Sequence, residues 1–132
     1  MPPELFWLTV TTAMTGLMWI PYMLDRIMVR GVMGTMANPS PGGKPQSAWA
    51  HRLYFAHTNA VENLVVFAVL VLVAQALDIS NRTTVWACAV YFWARLAHAI
   101  VFALGIPVVR TLAFLVGFGA QVALVLAIFQ VV

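Results

Sequence analysis

Residues 51–63 carry two histidines, an arginine, two asparagines and a glutamate within an otherwise apolar stretch. The residues that follow, 64–75, are almost entirely Val, Leu, Ala and Phe, so the segment is typical of a helix that crosses a bilayer. Ionisable groups at membrane depth are costly, and they usually face the interior of a bundle, a partner or a wet cavity. The cluster is therefore the first candidate for a functional site.

Helical spacing places Arg52, Asn59 and Glu62 on one face of this segment. His57 points elsewhere and is expected to pack or to form a hydrogen bond between helices. A second apolar stretch carries Arg95 and His98 on one stripe. Arg95 and Glu62 fall at similar depths, so we expect that they can form an ion pair, because an unpaired charge at that depth is costly.

Arg30 and Arg110 extend the set, since Arg30 directly follows the first apolar segment and Arg110 lies at the start of the last. Together these residues predict a basic pocket near one membrane surface, suited to a small anionic ligand that also makes apolar contacts. The alternative is that the polar groups only satisfy each other and lock the helices together. The predicted pocket consists of Arg30, Arg52, Asn59, Arg95, His98 and Arg110 around Glu62.

Other chemistries find little support in the sequence. The three histidines lack the close pairing that preforms a metal site, so no metal is expected. No glycine-rich phosphate loop follows a strand, and no Ser/His/Asp set is suggested by spacing. Seven basic and four acidic residues are too few and too dispersed to predict nucleic-acid binding. The single cysteine, Cys88, excludes a disulfide within the chain.

The composition defines the class of protein. Of the 132 residues 63% are hydrophobic and 8% are charged, whereas soluble domains carry roughly 25% charged residues. We therefore predict an integral membrane protein with a single domain, residues 1–132. Its fold is predicted to be all-α, an antiparallel up-down four-helix bundle with short connections. The predicted spans are residues 4–29, 48–77, 83–104 and 107–131.

The basic residues predict the orientation. Arg26, Arg30, Lys44 and Arg52 surround the first loop, and Arg110 follows the third. The positive-inside rule places these two loops in the cytoplasm and both termini outside. The N-terminus lacks the basic region of a signal peptide, so the first apolar segment is expected to be retained.

The sequence also resembles a known family. Residues 56–63, with Ala-His at 56–57 and Asn59, Glu62 and Asn63 at fixed spacing before Phe67, are similar to the second-helix signature of the MAPEG family, the membrane-associated proteins in eicosanoid and glutathione metabolism. The resemblance covers essentially the whole chain and is nearest to members of the bacterial type that are like microsomal glutathione transferases. The other matching motifs follow in the family's order at residues 37–39, 94–98, 105–107 and 110–111.

The resemblance implies a homotrimer in membrane lipid, in this case a bacterial inner membrane, with glutathione bound between subunits and open to the cytosol. The implied activity is a glutathione-dependent transferase or peroxidase acting on hydrophobic electrophiles or lipid hydroperoxides. Arg110 would stabilise the thiolate of glutathione, the co-substrate. Arg52, Asn59 and Glu62 would hold the charged ends of the tripeptide, and Arg30, Arg95 and His98 would complete the site.

Two departures from the family keep a second hypothesis open. Phe55 stands where many members have an arginine, and Phe102 stands where a tyrosine is common. Each change removes a polar group that would face glutathione. The alternative function is therefore a non-catalytic membrane protein of the same family, which binds lipid or acts as an accessory subunit.

Overall fold

The computed structural model describes all 132 residues, and every regular element in it is a helix. The predicted all-α class is therefore confirmed. A loop at residues 37–47 and two short turns join the elements. The helices are α1 (Pro3–Leu17), α2 (Trp19–Met36), α3 (Ala48–Ala76), α4 (Arg82–Ala103) and α5 (Pro107–Ile128).

Three helices, α3, α4 and α5, are long and apolar enough to cross a bilayer. The shorter two have 22 residues each, which is about 33 Å at 1.5 Å per residue, slightly more than the ~30 Å hydrocarbon core. Local chemistry explains where they begin and end. Asn81 caps α4 by accepting a hydrogen bond from the Thr84 amide, and Pro107 occupies the first turn of α5, where its missing N–H costs nothing. The chain is thus an integral membrane protein.

The first apolar segment differs from the single helix that we expect over residues 4–29. It consists of α1 and α2, which meet at Met18, and the Met18 amide bonds to the Thr15 carbonyl in a tighter turn. Pro21 explains the break because it has no N–H to donate to Leu17 and its ring crowds that carbonyl. Neither half alone has the length and hydropathy of a span, so a crossing by α1 and α2 together stays a prediction.

Helices α3 and α4 form the centre of the packing. Helix α1 packs on both, α5 packs mainly on α4 and also on α3, and α2 lies against α3. In the core the rings of Phe67 and Tyr91 stack, with their centroids 3.9 Å apart. The Tyr22 hydroxyl lies 2.8 Å from His57 Nδ1, which joins α2 to α3 and confirms the expected interhelix role of His57.

A buried carboxylate fastens one end of the bundle. Glu4 of α1 is fully buried, and its Oε1 accepts hydrogen bonds from Ser80 Oγ at 2.8 Å and Thr84 Oγ1 at 2.6 Å. These bonds join α1 to the turn between α3 and α4 and to the first turn of α4. We call this the Glu4 end of the bundle.

We predict that Glu4→Ala destabilises the protein in detergent, because the buried Thr84 hydroxyl and the exposed Ser80 hydroxyl lose the carboxylate that accepts their hydrogen bonds. Hydrogen bonds to charged groups contribute about 1.5–3 kcal/mol each, so the loss is expected to be about 2–4 kcal/mol after partial relaxation. Glu4→Gln keeps an acceptor oxygen and should lose less. Thermal unfolding followed by circular dichroism measures the difference, and equal melting temperatures for Glu4→Ala and wild type would refute the role of Glu4.

Candidate functional site

The centre of the candidate site is a buried arginine without a carboxylate partner. Arg95 lies in α4 with only 3% of its surface exposed. Its Nη2 donates to Asn59 Oδ1 of α3 at 2.5 Å, while its Nε has no partner. The guanidinium carbon also lies 6.0 Å from the centre of the Phe114 ring of α5. Three helices therefore share the surroundings of one cation.

Amide groups extend this contact along α3. Asn63 donates through Nδ2 to the Asn59 backbone oxygen at 2.9 Å, one helical turn away. Buried Gln121 of α5 donates to the Asn63 backbone oxygen at 3.2 Å. Asn63 Nδ2 also lies 3.4 Å from Asn59 Oδ1, so the Asn59 side-chain oxygen contacts both Asn63 and Arg95.

A cavity of about 190 Å³ opens beside this network. Arg110, at the start of α5, holds its guanidinium carbon 4.6 Å from the centre of the Phe102 ring, a cation–π contact. His98 is almost completely buried, and its Nδ1 has no hydrogen-bond partner. The cavity is thus basic and aromatic. It is lined by Asn59, His98, Phe102, Arg110, Thr111 and Phe114, and we call its side of the molecule the Arg110 end.

Two of the predicted site residues stabilise chain connections. Arg52 Nε donates to the Ala103 backbone oxygen at 2.9 Å, which satisfies a free carbonyl in the last turn of α4. Its guanidinium lies against Gly105, which has a φ of 78° and where an added Cβ would come within 3.2 Å of Arg52 Cζ. Arg30 Nε donates to the Lys44 backbone oxygen at 2.7 Å. Neither residue lines the cavity at Arg110.

The expected ion pair between Arg95 and Glu62 is wrong for a single subunit. Arg95 bonds to Asn59, and Glu62 is exposed on the outer side of α3. The reason is that α3 turns Ala56 and Ala60 toward the core. At about 100° per residue this leaves Glu62 roughly 140° away from the core direction. Phe55, 48% exposed, lies on the same outer side.

One acidic residue that positions the site is not among the predicted site residues. Asp25 of α2 is buried and accepts a hydrogen bond from the Ser47 amide at 3.0 Å, directly before α3. Gln46 adds a bond from Nε2 to the Tyr22 backbone oxygen at 2.7 Å. These contacts fix the start of α3, and hence Arg52. The signal in the sequence is that Asp25 is the one acidic residue amid the basic residues of the first loop.

We predict that Asn59→Ala lowers the free energy of unfolding by about 1.5–3 kcal/mol, because Arg95 loses a charge-assisted hydrogen bond. Glu62→Gln serves as the matched comparison, since Glu62 does not contact Arg95 within the subunit. Unfolding in detergent, measured at equal protein concentration, should rank Asn59→Ala well below Glu62→Gln. The reverse ranking would mean that Glu62 is the partner of Arg95 in the assembled protein.

Comparison with known protein families identifies one family for almost the whole chain. The family model described as the MAPEG family matches residues 5–130. A search of curated proteins finds no match to the chain.

Proposed function

The chain belongs to the MAPEG family, and from this premise we propose that it is a glutathione-dependent membrane transferase or peroxidase. Its proposed substrates are hydrophobic electrophiles or lipid hydroperoxides, which enter from the bilayer. The observation that carries the proposal is the cavity at the Arg110 end, where Arg110, His98 and Asn59 converge.

The distribution of acidic residues supports an anionic ligand for this cavity. Glu4 and Asp78 are separated from it by the length of α4, and Asp25 is bonded to the Ser47 amide. Glu62, the remaining acid, is exposed on the outer side of α3. Arg95 and Arg110 therefore have no carboxylate beside them in the subunit. Because half-buried Arg110 lines the cavity and buried Arg95 lies next to it on Asn59, the cavity favours an anion that brings its own charge.

Arg110 is the residue that we assign to activation of the thiol. Its guanidinium is fixed over Phe102, and the first-turn amides of α5 add positive potential at the same place. Positive charge beside a thiol favours the thiolate, which is the nucleophile. In the transferase reaction the thiolate sulfur forms a bond to the electrophilic carbon, and the leaving group departs with the bonding electrons. In the peroxidase reaction the thiolate attacks the terminal oxygen of the hydroperoxide and the O–O bond breaks, which forms the sulfenic acid of glutathione and releases an alkoxide that takes up a proton to become an alcohol. A second glutathione then attacks the sulfenic sulfur, which forms the disulfide and releases water.

The size of the cavity supports a site shared between subunits. Its volume of about 190 Å³ is below the roughly 300–1,000 Å³ of typical small-molecule pockets. Glutathione would need a second wall, and Glu62 and Phe55 are exposed on the outer side of α3, where a neighbouring subunit could lie. We therefore include in the proposal a homotrimer in a bacterial inner membrane, with the Arg110 end in the cytoplasm and both termini outside. Arg30, Arg52, Asn59, Glu62, Arg95 and His98 are the proposed glutathione-binding residues.

A second candidate function rests on a specific observation. The Asn59 side-chain oxygen already accepts the hydrogen bond of Arg95, so the amide and the cation satisfy each other without a ligand. Phe55 adds no charge to the outer side of α3. These facts favour a non-catalytic member of the family, which binds lipid or acts as an accessory subunit.

We predict that Arg110→Ala reduces the amount of bound glutathione thiolate at neutral pH by about 10- to 100-fold, the loss of one charge-assisted hydrogen bond. Arg110→Lys keeps a cation and should retain part of the thiolate. The measurement is ultraviolet absorbance of the thiolate in purified protein titrated with glutathione. Wild-type protein that binds no millimolar glutathione would favour the accessory role, and full turnover by Arg110→Ala would refute the assignment of Arg110.

We predict that the protein is a trimer in mild detergent, and native mass spectrometry measures this directly. The reason is that the cavity of one subunit is too small for the tripeptide, so an active enzyme needs a neighbour. A monomer that nevertheless binds glutathione would contradict the shared site, whereas a trimer without glutathione binding would support the second candidate function.

A further inference from the structure

A second and larger opening lies between α4 and α5, at the end of the bundle away from Arg110. It is a groove of about 520 Å³, within the roughly 300–1,000 Å³ range of small-molecule pockets. The groove is open on the α5 side because the small residues Gly119, Ala120 and Ala123 occupy positions where larger side chains would fill it. A Cβ built on Gly119 meets no atom within 4 Å. The groove is thus open space along the helix surface.

The groove has the depth of one bilayer leaflet. On α4 its lining extends from Arg82, the first residue of the helix, to Val90. Eight residues span about 12 Å, a little less than half of the ~30 Å hydrocarbon core. We therefore expect the mouth of the groove, at Arg82, at the membrane surface and its other end, at Val90, near the midplane. Along α5 the nearest lining residue, Val116, is about 9 Å from Arg110, and the groove shares no lining residue with the cavity at the Arg110 end. The groove is therefore distinct from the proposed glutathione site.

The mouth of the groove carries one cation. Arg82 is exposed and lines the groove, and none of its side-chain nitrogens makes a hydrogen bond or ion pair within the chain. Trp86, 61% exposed, lies one turn deeper on the same wall. From the mouth inward the groove thus has a cation, then an aromatic ring, then apolar walls. This order matches the order of phosphate, glycerol and acyl chain in a phospholipid.

From these observations we propose that the groove binds an anionic phospholipid, with its phosphate on Arg82 and one acyl chain between α4 and α5. Charge favours this occupant over a second copy of the chain. Among the four acidic residues, Glu4 is buried, Asp25 lies toward the other end of the bundle, and Glu62 lies at the middle of α3. Only the exposed Asp78 is at the correct end to meet Arg82 from a neighbouring subunit.

Native mass spectrometry of the purified full chain tests the proposal, by titration with phosphatidylglycerol and, separately, with zwitterionic phosphatidylcholine. Gly119→Leu fills the groove from a position with free space, and it should abolish the tightest phosphatidylglycerol binding. Gly16→Leu on α1 is the matched control, because a Cβ there also meets nothing within 4 Å. It should leave lipid binding unchanged.

Arg82→Gln tests the head group separately from the groove. Removal of one basic residue near the membrane surface should weaken phosphatidylglycerol binding about fivefold and leave phosphatidylcholine binding as it is. Equal affinity of wild type for both lipids, or unchanged phosphatidylglycerol binding in Gly119→Leu, overturns the proposal. Dissociation of an oligomer by Gly119→Leu, Arg82→Gln or Asp78→Asn also overturns it, because the groove would then be a contact between subunits.

Discussion

The position of Arg95 constrains much of this structure, because a guanidinium in the apolar interior must find partners without leaving the bundle. A carboxylate would neutralise it, but none lies beside it. The chain instead surrounds it with an amide oxygen from Asn59 and the ring of Phe114. Since these partners come from different helices, α3, α4 and α5 have little freedom to slide or rotate relative to one another. Because these partners are neutral, the positive charge of Arg95 is not cancelled and can attract an anionic ligand.

Charged side chains stabilise the bundle at both of its ends. At the Glu4 end a buried carboxylate accepts two hydroxyl hydrogen bonds, and at the Arg110 end arginines contact backbone carbonyls and aromatic rings. These charged groups therefore stabilise connections between helices without forming an ion pair. Arg52 shows the consequence most directly, because it closes the C-terminal turn of α4 just before the chain turns into α5. Arg110 then begins the new helix beside Phe102.

The extent of the helices could be predicted from hydropathy and from Gly/Pro signals, because a lipid-facing helix needs a long apolar run with its backbone bonds satisfied internally. The break at Met18 could also have been predicted, since Pro21 lies in the middle of the first segment. The direction in which Glu62 points could not be predicted from the sequence. A helical wheel groups Asn59 with Glu62, but it does not say which edge of that face turns inward. Packing decides this, because Ala56 and Ala60 let α3 approach its neighbours closely, as small residues do in membrane bundles.

The orientation of α3 thus divides the predicted polar cluster into two sets with different surroundings. Asn59 and Asn63 bond to groups within the subunit, whereas Phe55 and Glu62 are exposed on the outer side of the helix. A charged residue on an outer face at membrane depth is costly in lipid, so burial of Glu62 against another protein surface would lower the free energy of the assembled state. A rotation of α3 by one residue would bring Glu62 closer to the core and displace the alanines from their close contacts. Packing and charge therefore oppose each other on this helix, and packing determines its orientation within the subunit. The exposed carboxylate is the consequence, and it gives the proposed contact between subunits a polar group to satisfy.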